Sequence, residues 1–89
     1  MASWIITKDN IDDGEALKHW NGKEATREEA EINCVYKFRM LDDDNNIYYY
    51  GRSSDKDSED AFSPLDDFGR PNAGCTEIQY YENGKWETL

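Results

Sequence analysis

The stretch Val35-Tyr36-Lys37-Phe38-Arg39-Met40-Leu41-Asp42-Asp43-Asp44-Asn45-Asn46-Ile47-Tyr48-Tyr49-Tyr50-Gly51-Arg52 decides the fold. Two runs rich in aromatic and apolar residues flank five Asp and Asn residues, which tolerate the left-handed backbone of a tight turn; this is the composition of a β-hairpin. With Asp44-Asn45 as the turn, Met40 opposes Tyr49, Arg39 opposes Tyr50, Phe38 opposes Gly51 and Lys37 opposes Arg52. Opposed residues share a face. Tyr36, Phe38, Met40 and Tyr49 therefore form a core row, and Lys37, Arg39, Tyr48, Tyr50 and Arg52 point the other way. The second set gathers three of the ten Lys and Arg beside two tyrosines, a secondary basic-aromatic face. A slip of one residue in the turn would invert every assignment.

Outward from that hairpin, Tyr80-Tyr81-Glu82-Asn83-Gly84-Lys85-Trp86 predicts a second one. Asn-Gly between aromatic-rich runs signals a two-residue type I′ turn, which opposes Glu82 to Lys85, Tyr81 to Trp86 and Tyr80 to Glu87. Thr26-Arg27-Glu28-Glu29 matches a capping box, with Thr26 as N-cap of a short helix reaching about Ile32. Ser63-Pro64-Leu65-Asp66-Asp67-Phe68-Gly69 predicts a single helical turn, with Ser63 as cap, Pro64 at the first position and Gly69 as stop. A tight turn over residues 70–74 then leads into the strand before Tyr80. Trp4-Ile5-Ile6 predicts a further strand. Residues 7–23 and 53–61 are polar and predict loops. The expected fold is a single α+β domain spanning residues 1–89: a small antiparallel sheet of four or five strands, including two β-hairpins, with one or two short helices.

Charge bounds the function. Twenty Asp and Glu against ten Lys and Arg leave ten net negative charges on 89 residues. Three Trp, six Tyr and three Phe supply large side chains for a core and argue against an acidic disordered tail. The N-terminus has neither a basic segment nor a small-residue cleavage site, and no apolar run approaches the roughly 20 residues that cross a bilayer. A cytoplasmic protein without a membrane role, and a monomer, is expected. Direct nucleic-acid binding is disfavoured because phosphate neutralisation needs a basic stripe.

Several chemistries are weighed and set aside. Cys34 and Cys75 are far apart in sequence and expected to be reduced, and with His19 they lack the short spacing of a zinc site. His19 lies between Lys18 and Trp20 with no nucleophile beside it, and reads as a surface or partly packed residue. Asp42, Asp44 and Asn46 alternate as at the start of a calcium loop, but the sixth position is Ile47 in place of glycine and the twelfth is Ser53 in place of glutamate. No phosphate-binding glycine loop and no nucleophile elbow occur. No enzyme activity, metal or cofactor is expected.

The run from Phe38 to Asp44, then Tyr48-Tyr49-Tyr50-Gly51-Arg52, then Pro64-Leu65-Asp66-Asp67-Phe68-Gly69-Arg70-Pro71-Asn72-Ala73-Gly74-Cys75-Thr76 resembles a group of small acidic bacterial proteins. The resemblance covers roughly the second half of the chain. Asn45 stands where those proteins carry glycine, and Tyr50 where they carry an acid. It implies a cytoplasmic bacterial origin and the central hairpin, and brings no activity with it.

What charge supports is an interaction role with a basic protein partner. The candidate partner-binding residues are Asp42, Asp43 and Asp44; Asp55, Asp57, Glu59 and Asp60; and Asp66 and Asp67. Carboxylates on alternate residues of an extended strand recur at about 7 Å, close to every second phosphate of a nucleic-acid strand at about 3.4 Å. A nucleic-acid mimic of the anti-restriction or anti-CRISPR kind is one expectation. A small bacterial adaptor, or a weak divalent-cation binder with no inhibitory role, is the alternative.

Overall fold

A computed structural model of the protein describes residues 3–11, 19–21 and 26–89. The elements in chain order are β1 (Trp4–Asp9), β2 (Trp20–Asn21), α1 (Arg27–Asn33), β3 (Tyr36–Leu41), β4 (Ile47–Ser53), a helical arm ending in α2 (Arg70–Ala73), β5 (Glu77–Glu82) and β6 (Lys85–Thr88). The strands form one antiparallel six-stranded sheet in the order β2-β1-β4-β3-β5-β6. The α+β class is as expected. The additional strand is β2, whose two residues pair with Trp4 and Ile5.

Period-two alternation assigns the two faces. Trp4, Ile6, Phe38, Met40, Tyr49, Ile78 and Tyr80 point to one face and pack with Ala61, Leu65 and Phe68 of the helical arm. Ile5 points to the other face and packs with Ala30 and Cys34 of α1 and its end, with Trp20 at the edge. α1 thus covers only the β1 end of the second face. Thr26 caps it, its hydroxyl accepting the Glu29 N–H at 3.2 Å, as the capping box predicts. Both cysteines are free thiols and buried, in different clusters.

The last hairpin has the expected turn. Asn83 and Gly84 both take positive φ, 53° and 84°, the type I′ geometry, and the opposed pairs are those predicted. In the central hairpin the predicted opposition of residues 37–40 to 49–52 holds, but it arises differently. The Asn45 N–H donates to the Asp42 carbonyl and the Asp42 N–H to the Asn46 carbonyl, so the loop holds three residues with Asn45 at φ 65°. That shifts the ladder by one residue, and Leu41 opposes Ile47. A β-bulge at Tyr48 shifts it back, restoring Met40 opposite Tyr49. The two irregularities cancel.

Three expectations are corrected. First, residues 7–23 are not mostly loop among those described: β1 runs to Asp9, β2 holds Trp20 and Asn21, and the rest of the segment, 12–18 and 22–23, lies outside the described residues. Second, the helical turn expected to start at Ser63 begins earlier. Ser58 is the cap, its hydroxyl accepting the Asp60 N–H, and Glu59–Phe62 forms a 3-10 turn, so the polar loop ends at residue 58. Third, Gly69 does not stop the helix, and residues 70–74 are not a tight turn. Leu65–Gly69 is one wide π-turn, closed by the Arg70 N–H on the Leu65 carbonyl, and α2 follows to a left-handed cap at Gly74, φ 68°. The wide turn directly precedes Pro71, which cannot donate and whose ring would collide with a carbonyl four residues back in a regular helix. Gly69 serves packing instead: a Cβ there would lie 2.5 Å from Met40 Sδ.

Candidate functional site: an acidic arm and a basic aromatic sheet face

The predicted carboxylates occupy three places. Asp42, Asp43 and Asp44 lie in the β3–β4 turn. Asp55, Asp57, Glu59 and Asp60 lie beyond the opposite end of β4, at the start of the arm, and Asp66 and Asp67 lie in its π-turn. None is on an extended strand, so the alternate-residue spacing of a strand does not apply to them. Asp43, Asp44, Asp57, Glu59, Asp66 and Asp67 are exposed.

Two of the nine are occupied by their own turns. Asp42 Oδ1 accepts the Asp44 and Asn46 N–H groups, both at 2.9 Å, and Oδ2 accepts Asn46 Nδ2 at 3.1 Å and the Tyr48 hydroxyl at 2.8 Å. These bonds, the Asn46 side chain foremost, lower its carboxyl from the ordinary 3.8 to about 2. Its lone pairs are thereby directed inward, which removes the leading ligand of the calcium-like run. Asp55 Oδ1 accepts the Asp57 and Ser58 N–H groups while the Ser58 hydroxyl donates to Oδ2, lowering that carboxyl too. No group of three potential metal ligands is found among the described residues.

From residue 55 to 73 there are six carboxylates and two cations, Lys56 and Arg70. Both cations are already paired, Lys56 with Asp57 at 2.9 Å and Glu82 at 3.1 Å, and Arg70 with Asp66 at 3.4 Å. Glu59 and Asp67 have neither cation as a partner in these pairs and face solvent.

The second face of the sheet has the opposite character. Lys37, Arg39, Tyr50 and Arg52 lie on it as predicted. Tyr48 does not: as the bulge residue it leaves the alternation, packs against the core beneath the arm and gives its hydroxyl to Asp42. Neighbouring strands add members that the hairpin alone could not supply. Lys8 of β1 lies over the Tyr50 ring at 5.9 Å, Lys37 over Tyr81 at 6.0 Å and Arg39 over Trp86 at 4.5 Å. Only the last is well inside the range at which a cation is strongly held by a ring. Arg39 Nε also donates to Gln79 at 2.6 Å. Trp86 meets Tyr81 and Tyr50 edge-on at centroid distances of 5.2 and 6.2 Å.

Between α1 and the β5–β6 hairpin this face sinks into an open groove of about 450 Å³. Arg27 and Glu31 come from α1, Arg52 and Tyr50 from β4, Lys37 from β3 and Trp86 from β6. Glu31 Oε1 is shared by Arg27 at 2.8 Å and Arg52 at 3.6 Å. With Lys8 and Arg39, five of the ten cations stand on this side of a strongly acidic molecule. The Tyr81–Trp86 pair was legible locally, whereas Lys8, Arg27 and Glu31 join only through strand order and helix placement.

No family model, curated protein or solved structure matches the chain. Among the described residues no helix is long and apolar enough to cross a membrane.

Proposed function

We propose that the protein is a non-enzymatic interaction module that docks a basic protein through the side carrying its arm. The observation that supports this is the charge arrangement along residues 55–73, where six carboxylates meet two cations that are already paired, while half the chain's cations are held on the other sheet face. Charge arranged in this way steers a complementary partner and raises its association rate. The carboxylates sit on turns and short helical turns, so docking by charge complementarity fits better than imitation of regular phosphate spacing. Occupation of a basic nucleic-acid enzyme is the special case in which DNA competes for the same surface. The acidic bacterial resemblance makes a bacterial lysate the first source of partner.

The test is co-purification with the tagged protein. A basic partner should be retained at low salt and lost steeply as salt rises. Joint reversal of Asp57, Glu59, Asp66 and Asp67 to Lys should abolish retention, and reversal of Glu82 and Glu87 should leave most of it. Equal losses from both sets would overturn the arm as the docking surface. Displacement by added DNA would identify the partner as a nucleic-acid enzyme, and failure of DNA to displace it would identify an adaptor.

A further inference from the structure

We propose that the groove on the second sheet face binds a phosphomonoester carried on a planar ring, the chemistry of a nucleoside monophosphate. Three observations converge there. The lining holds three cations, Arg27, Lys37 and Arg52, against one carboxylate, Glu31. The excess of two positive charges matches a phosphate monoester, which carries about −1.5 to −2 at neutral pH. Arg27 and Arg52 both line the groove with their side chains partly exposed, 22% and 32%, so an oxyanion there would meet two guanidinium forks, a geometry suited to phosphate. At the far wall, Tyr50 and Trp86 offer aromatic surface beside the cations.

The floor explains why such a ligand fits. Phe38 and Gly51 are opposed on β3 and β4 and both face the core side, where a Cβ on Gly51 would meet the Phe38 ring. At that step the two strands present only backbone to the groove. A volume of about 450 Å³ lies within the range of about 300 to 1,000 Å³ that holds small organic ligands. The chain's overall negative charge does not forbid a small anion here. Exposed charges beyond about 8 Å are largely screened at physiological salt, whereas the guanidinium groups act at contact. A long polyanion would meet the acidic remainder of the surface as well, and that disfavours nucleic acid.

The full-length protein labelled with nitrogen-15 is titrated with adenosine monophosphate, adenosine and inorganic phosphate while the Trp86 indole N–H, assigned with Trp86→Phe, is followed. Adenosine monophosphate should move this resonance in a saturable way, and adenosine and phosphate should each bind about tenfold more weakly or worse, as expected when one charged hydrogen-bonding group or the ring is missing. Arg52→Gln should weaken adenosine monophosphate about tenfold, with Arg52→Lys recovering part of the loss. If Arg52→Gln does not fold, Lys37→Gln carries the same test from an exposed position. No shift of Trp86 at tens of millimolar nucleotide would overturn the proposal. So would equal affinity for adenosine, equal affinity for phosphate, or tighter binding of single-stranded oligonucleotides in proportion to their length. The groove lies on the face opposite the arm, so this test and the partner test fail independently.

Discussion

At the scale of single residues, the turn carboxylates and the close-packed glycines carry consequences that the acidic composition hides. Asp42 is a structural acid. Because its folded carboxyl titrates near 2 while the ordinary value is 3.8, its contribution to stability is fully present above about pH 4 and is lost as pH falls toward 2. Asp42→Asn should therefore lower stability at neutral pH and flatten the loss of stability across that window, measured as denaturation midpoints at several pH values. Gly51 is the second case. A Cβ there would lie 2.4 Å from the Ile5 carbonyl oxygen and 2.4 Å from Phe38 Cζ, and a backbone oxygen in a central sheet pair has little room to yield. Gly51→Ala should cost about 2 to 3 kcal/mol, the upper part of the usual range for overpacking. At Gly74 nothing lies within 4 Å of an added Cβ, so Gly74→Ala should cost only the left-handed conformation, about 1 to 2 kcal/mol. Urea titration of the two variants ranks them, and the reverse order would contradict the packing described for Gly51.

At the scale of elements, the last hairpin was fully legible because Asn83-Gly84 fixes its turn within four residues. The central hairpin was legible in its pairing and not in its path. A three-residue loop and a bulge each displace the ladder by one position, and only Tyr48, the residue between them, betrays the difference. The arm was legible least. Its two glycines and Pro71 look like punctuation in sequence, but Gly69 answers to Met40 on β3, a neighbour that no local pattern reveals. Half-burial also tempers the value of Trp86. A fully buried aromatic replaced by alanine costs about 3 to 5 kcal/mol, and Trp86 packs edge-on against Tyr81 with one side open. Trp86→Ala should therefore cost about 1 to 2 kcal/mol, read from the denaturation midpoint. No change would show that the Tyr81–Trp86 pair adds nothing to the hairpin.

At the scale of the whole molecule, ten net negative charges repel one another in the compact state. Moderate sodium chloride should raise the melting temperature, since it screens that repulsion more than it weakens the few ion pairs, and calorimetry at several salt concentrations checks the sign. The sequence announced the excess of acid, but not its distribution. Which side held the cations depended on β1 and β5 flanking the central hairpin and on α1 lying over only one end of the sheet. The arm and the groove lie on opposite faces of one sheet, so under the proposed docking of a basic partner on the arm the groove would face away from the encounter and stay open to solvent. The two surfaces need not exclude each other, and a ligand in the groove would travel into the complex.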